Sequence, residues 1–289
     1  MLVGDWQVDS LETGECWLDG GAMFGSVPKT LWEREHPVDE QNRICLALRC
    51  LLIRGHGRTI VVDTGCGDKW SDKLRDIFRL HNPIDSLRDA IRAQGVDPES
   101  VTDVILTHLH FDHAGGVSEL NEKGELVLTF PRAKHWVQRD NLENAQKPGL
   151  RERASYLPEN WQPVVEGNHE LTVGTVELYP GLSVRPVHGH TRGMQLVRLA
   201  DKDGRNGLVY GADLIPTRSH VRLPYTMGYD INPGLLIEEK ATALRDCLDH
   251  DLLVFFEHDP ICDAASLKEQ GGRIEIADSI RLDDRGADR

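Results

Sequence analysis

Long apolar runs, a basic excess and paired cysteines are all missing from this chain. Its longest uninterrupted apolar stretches, such as residues 252–256, fall far short of the ~20 residues that a spanning helix needs. No membrane span and no membrane partner are expected. The N-terminus, Met-Leu-Val-Gly-Asp-Trp, brings an acid where a secretory signal has a basic start and a long apolar core. A cytoplasmic location is expected. Cys16, Cys45, Cys50, Cys66, Cys247 and Cys262 include no C-x-x-C pair, which argues against both a disulfide framework and a thiolate zinc site. They read as reduced core thiols. With 33 Lys plus Arg against 47 Asp plus Glu, a net charge of −14, the chain lacks the basic excess of a phosphate-tracking surface. No nucleic-acid partner is expected.

What remains is 289 residues at 39% hydrophobic, enough to bury a sizeable core without staples. Runs rich in Val, Ile and Leu read as strands at 44–53, 59–62, 104–106, 171–178, 183–187, 195–199, 208–210 and 252–256. Helical spacing fits 84–93, with Asp85 and Ser86 as start residues and Gly95 as a stop, and 235–248. The alternation implies a layered α/β architecture in one domain spanning 1–289. Its two halves join near 147–168, where prolines and glycine interrupt the periodicity, and the polar end 278–289 is expected to fray.

The informative segment is Thr107–Gly116, T-H-L-H-F-D-H-A-G-G, directly after the run 104–106. Mixed imidazole and carboxylate donors suit zinc, iron, manganese or cobalt better than calcium or magnesium. Alternate residues of an extended segment point the same way, so His108 and His110 can grip one ion. Asp112 and His113, past the turn, can face a second ion at the ~3.5–4 Å spacing of two-metal sites. Four donors cannot complete two shells. His190 in H-G-H-T-R-G, Asp213 in Y-G-A-D and His258 in F-F-E-H-D-P each follow an apolar strand, where a layered α/β fold gathers its chemistry.

The ordered set H-L-H-F-D-H, G-H-T, G-A-D and E-H-D, preceded by V-V-D-T-G at Val61–Gly65, resembles the metallo-β-lactamase superfamily. The resemblance implies an αββα sandwich, two mixed β-sheets face to face with helices outside. It implies that His108, His110 and His190 hold one divalent ion, Asp112, His113 and His258 a second, and that Asp213 bridges them. Zinc is the first choice of metal. Asp213 and His258 point away from antibiotic hydrolysis and toward the binuclear lactonase-like and methyl-parathion-hydrolase-like branch. The expected reaction uses a metal-bridging hydroxide to cleave a small lactone, ester or phosphoester, with Asp112 and Asp213 as catalytic carboxylates. The alternatives are a glyoxalase II-like thioesterase and a mononuclear iron oxidoreductase resembling persulfide dioxygenases.

Asp63 is expected to orient a ligand histidine or the metal loop, or simply to shape an Asx-type turn. His188 stands at H-x-H spacing from His190 without a definite role, and Cys66 reads as a packed thiol. Met23, Phe24 and Trp32, in the glycine-rich stretch 17–32, are candidate substrate contacts with loop packing as the alternative. His220, Tyr225 and Tyr229, in the loop after Asp213, are further candidates. The partner expected is a small-molecule substrate, and the assembly a monomer or homodimer.

Overall fold

The computed structural model describes residues 1–83 and 86–282. The first half builds β1 (Leu2–Val3), β2 (Trp6–Asp19), β3 (Arg43–Gly55), β4 (Arg58–Val62) and β5 (Asp103–Ile105). A small hairpin of β6 (Ser118–Leu120) and β7 (Leu126–Leu128) follows, then β8 (Lys134–Gln138) and β9 (His169–Thr172). Setting the hairpin aside, these form a seven-stranded sheet in the order β1-β2-β3-β4-β5-β8-β9. It is antiparallel as far as β4 and parallel beyond. The second half builds β10 (Val176–Tyr179), β11 (Leu182–Val187), β12 (Met194–Leu199), β13 (Gly207–Tyr210), β14 (Leu252–Phe255), β15 (Ala264–Gln270) and β16 (Arg273–Ile280). These form a second seven-stranded sheet in sequence order, antiparallel except for the pair β13–β14.

The two inner faces share one core. Leu51, Ile53, Ile60, Val62 and Ile105 of the first sheet pack with Val184, Leu196, Leu208, Tyr210 and Val254 of the second. Because side chains alternate across a strand, the neighbouring positions Cys50, Leu52, Val61 and Val104 face outward. They are covered by Leu87 and Ile91 of helix Ser86–Ala93 and by Leu142 and Val164 of later helices. The long helix Pro233–Asp249 lays Leu236, Ala243, Leu244 and Cys247 on the second sheet. The fold is the αββα sandwich.

Three expectations change. The run 171–178 is not one strand: β9 ends at Thr172 in the first sheet and β10 starts at Val176 in the second. Gly174, at φ +66°, turns the chain between them. The passage between sheets therefore lies just beyond 147–168, which itself holds the helix Pro158–Glu166. Residues 278–280 do not fray, since β16 pairs Asp278 with Ser266 and Ile280 with Ala264. Positions 283–289 lie outside the described residues, as do Ile84 and Asp85 at the expected helix start. Strand β2 has no counterpart in the sequence reading, because charged and polar residues interleave its buried positions. Among the described residues, no helix is long and apolar enough to cross a membrane.

Candidate metal centre

Four chain segments bring the donors together at one edge of the sandwich. Strand β5 ends at Ile105, the chain runs extended through His108 and His110, and the short helix Phe111–Ala114 carries Asp112 and His113. Asp63 holds this turn, accepting the Thr107 N–H at 2.7 Å and the Thr107 hydroxyl at 2.6 Å. It does so from a left-handed backbone, φ +57°, a conformation disfavoured for non-glycine residues and concentrated at functional sites. Ala212, beside Asp213, is left-handed too, at φ +41°. His190 follows β11, Asp213 follows β13 and His258 follows β14.

The donors form two clusters. In the first, His110 Nδ1 lies 3.1 Å from His108 Nε2 and 3.3 Å from His190 Nε2, and Asp213 Oδ2 lies 3.1 Å from His190 Nε2. In the second, His113 Nε2 lies 3.3 Å from His258 Nε2, and Asp112 stands 3.9 Å from the former and 3.8 Å from the latter. Asp213 belongs to both: its other oxygen, Oδ1, sits 3.2 Å from His258 Nε2 and 3.5 Å from His113 Nε2. All seven residues are buried.

This donor set fits two divalent ions. Ligands about 2.0–2.1 Å from a tetrahedral centre stand roughly 3.3 Å apart, which is the spacing of the imidazole nitrogens here. Asp213 Oδ1 has no hydrogen-bond partner although two ring nitrogens lie near it, and His110 Nε2 is buried and unpartnered. A complete second cluster runs against the single-iron alternative.

The second ring nitrogens of His258, His190 and His113 face acceptors, as tautomer control of a ligating imidazole requires. His258 Nδ1 faces Ala47 O at 2.9 Å and His190 Nδ1 faces Asp230 Oδ1 at 2.9 Å. His113 Nδ1 faces two carboxylates, Glu257 Oε2 at 2.8 Å and Asp63 Oδ2 at 3.0 Å. Burial pushes His108 and His110 well below the ordinary imidazole range, and the neighbouring imidazoles add to it. Burial would do the same to His258, but hydrogen bonding to Asp213 and the charges of Asp213 and Glu257 raise it to about 10. Against the same burial, Glu257, Asp213 and Asp112 lift His113 well above its usual value, and Asp213 and Asp230 lift His190. Burial would raise Asp213, yet His190 and His113 hold it well below the carboxylate range. The centre is thus a buried set of imidazoles and carboxylates whose charges act strongly on one another.

The other expected residues divide. Met23, Phe24, Trp32 and His220 are buried in this structure. Phe24 stacks between Trp32 and His220, with ring centroids at 5.1 and 4.9 Å, and both His220 nitrogens are used, by Thr217 at 2.8 Å and Met23 O at 2.9 Å. Tyr225 is half-buried, and Tyr229 is 40% exposed. The Tyr229 phenol is pushed up by burial and by the charges of Asp19, Asp112 and Asp213. His188 accepts the Gly193 N–H on Nδ1 at 3.1 Å and falls outside both clusters. Cys66 is buried and free, as expected.

Residues the sequence reading missed surround the donors. Glu257 and Asp230 are buried acids behind His113 and His190. Glu257 carried a signal, an acid placed directly after an apolar strand and before a donor histidine; Asp230 carried none. Tyr156 packs its ring on His110 at 4.6 Å, and Asn141 accepts the Leu109 N–H at 2.9 Å.

A family profile described as the metallo-beta-lactamase superfamily matches residues 46–258. The chain belongs to this superfamily. An N-acyl homoserine lactonase of a Bacillus species is 27% identical over 256 residues, 85% of this chain and 90% of that protein. A probable metal-dependent hydrolase from Staphylococcus aureus superposes with a TM-score of 0.86 at 26% identity, over 97% of this chain and all of that one. AidC, a dizinc quorum-quenching lactonase, shares the fold at a TM-score of 0.78 and 17% identity, over 97% of this chain and 96% of its own. As a member of this superfamily with such relatives and such a donor set, the chain is a metal-dependent hydrolase whose clusters fit a binuclear centre, and not a true β-lactamase.

Proposed function

We propose that this hydrolase opens a small lactone, with related esters and phosphoesters as secondary substrates. The observation that carries the reading is Asp213, whose two oxygens face separate clusters at 3.1 and 3.2 Å. The lactonase relative supports the substrate class.

His108, His110 and His190 would hold one ion, Asp112, His113 and His258 the other, and Asp213 would touch both. Zinc suits three imidazoles with a carboxylate. When bound, the ions supply Lewis acidity that polarises the scissile carbonyl and acidifies water to a pKa of about 7.

The chain's own residues do the rest. Asp213, or Asp112, accepts one proton of the attacking water, whose oxygen bonds to the carbonyl carbon. As the ring C–O bond breaks, that proton passes to the departing alkoxide, so a hydroxy acid leaves and atoms balance. Tyr229 is a phenol at neutral pH, its pKa pushed up further by its surroundings, and would donate to the substrate's oxygen. Tyr225 and Tyr229 would line the substrate side, with Met23, Phe24, Trp32 and His220 supporting that wall from behind.

The test is elemental analysis followed by an assay against acyl lactones, thioesters, aryl phosphates and β-lactams. The reading expects two zinc ions per chain and lactone turnover that His108→Ala combined with His110→Ala abolishes. Turnover of no lactone above that control would sink it.

A further inference from the structure

Asp230 lies in the segment 222–232, between the short turn Arg218–Val221 and the helix Pro233–Asp249. It is 1% exposed, and both its oxygens are engaged. Oδ1 faces His190 Nδ1 at 2.9 Å, while Oδ2 accepts the Met227 N–H at 2.7 Å. Two backbone bonds run beside it, from Ile231 N–H to His190 O at 3.0 Å and from Asn232 N–H to Gly189 O at 2.8 Å. The same loop carries Tyr225 and Tyr229. It also leans on residues 22–25: the Gly228 N–H donates to Ala22 O at 2.7 Å, and a Cβ on Gly25 would meet Thr226 O at 2.8 Å. One carboxylate therefore ties a candidate metal donor to the loop that would face the substrate.

We infer that Asp230 is a positioning residue that sets the tautomer of His190 and makes the order of loop 222–231 depend on what His190 Nε2 holds. The inference rests on the reading of His190 as a ligand. An ionised carboxylate only accepts, so Nδ1 of His190 keeps its proton and Nε2 is the nitrogen that gives its proton up to a cation of the first cluster. A cation at Nε2 makes the Nδ1–H more acidic and its bond to Oδ1 stronger, which holds the carboxylate still. Oδ2 then offers Met227 a fixed acceptor, and the loop is ordered. Asparagine cannot do both tasks. Its oxygen must serve the Met227 N–H, so its NH2 turns toward His190 Nδ1 and drives the ring proton to Nε2, where it blocks the ion.

The experiment titrates zinc against a competing chelator into metal-depleted wild type, Asp230→Asn and His190→Ala. Amide exchange of residues 222–232 is followed with and without zinc. Wild type is expected to bind two ions and to show slower exchange at Met227 and Ile231 when loaded. D230N is expected to bind one ion about 10- to 100-fold more weakly, leave the other unchanged, and lose the zinc-dependent slowing. Equal affinity in D230N, or wild-type exchange indifferent to zinc, overturns the inference while leaving the ligand assignment intact. If H190A keeps both ions, the ligand assignment itself fails and this inference falls with it. Should D230N not fold, the wild-type exchange measurement decides alone.

Discussion

Glu257 Oε2 lies 2.8 Å from His113 Nδ1 while accepting the Tyr210 hydroxyl at 2.7 Å. A buried acid thus stands behind a metal-donor candidate and is itself held by a buried phenol. Burial raises Glu257 to about 7, with His113 pulling the other way. Glu257→Gln should weaken one of two bound ions about 10- to 100-fold, read by zinc competition. Tyr210→Phe should leave both ions bound and cost about 1 kcal/mol of stability in urea. Unchanged zinc affinity in E257Q would show that Asp63 alone orients His113.

Asp63 combines a left-handed backbone with hydrogen bonds to Thr107. Removing the carboxylate should destabilise the chelated protein by about 3 kcal/mol. Asp63→Gly should lose roughly 1 kcal/mol less than Asp63→Ala, because glycine adopts positive φ without a Cβ penalty. Urea unfolding checks the order, and an alanine variant as stable as the glycine one would contradict it.

His220 supplies an acid-sensitive contribution. Burial, then the charge of Lys240, lowers it to about 3, so it stays neutral in the folded chain, whereas an unfolded histidine protonates near pH ~6.5. The unfolded state binds the proton first, so stability is lost as pH falls from about 6.5 toward about 3. At pH 5 the loss is about 2 kcal/mol. Urea midpoints at pH 7.5 and 5 should differ less in His220→Asn than in wild type, and identical differences would refute the assignment.

Metal loading should release protons. Carboxylates hold His113 and His190 above the usual imidazole range and His258 at about 10. An ion must displace those protons, so apparent affinity rises with pH through the neutral range. Calorimetry in buffers of different ionisation enthalpy would report the release; heats independent of buffer would exclude it. Chelation should likewise lower the melting temperature more at pH 8.5 than at pH 6.5.

Local spacing made half the centre legible. His108, His110, Asp112 and His113 sit within six consecutive residues, and an extended segment followed by one helical turn leaves few ways to arrange them. His190, Asp213 and His258 were legible as polar residues after apolar strands. For Met23, Phe24 and Trp32 the sequence left substrate contact and loop packing both open, and Phe24 is wedged between Trp32 and His220 within the core.

Sequence by itself determined the donor types, their order and the layered α/β class, because those follow from side-chain chemistry and from periodicity along the chain. Only the tertiary structure decided that Gly174 sends the chain across to a second sheet. It placed Asp213 between the two clusters as expected, and only it brought Glu257 and Asp230 behind His113 and His190. The physical reason is distance along the chain. Asp230 meets His190 across 40 residues and Asp63 meets His113 across 50, and such pairings are selected by the packing of whole sheets, which no local pattern encodes.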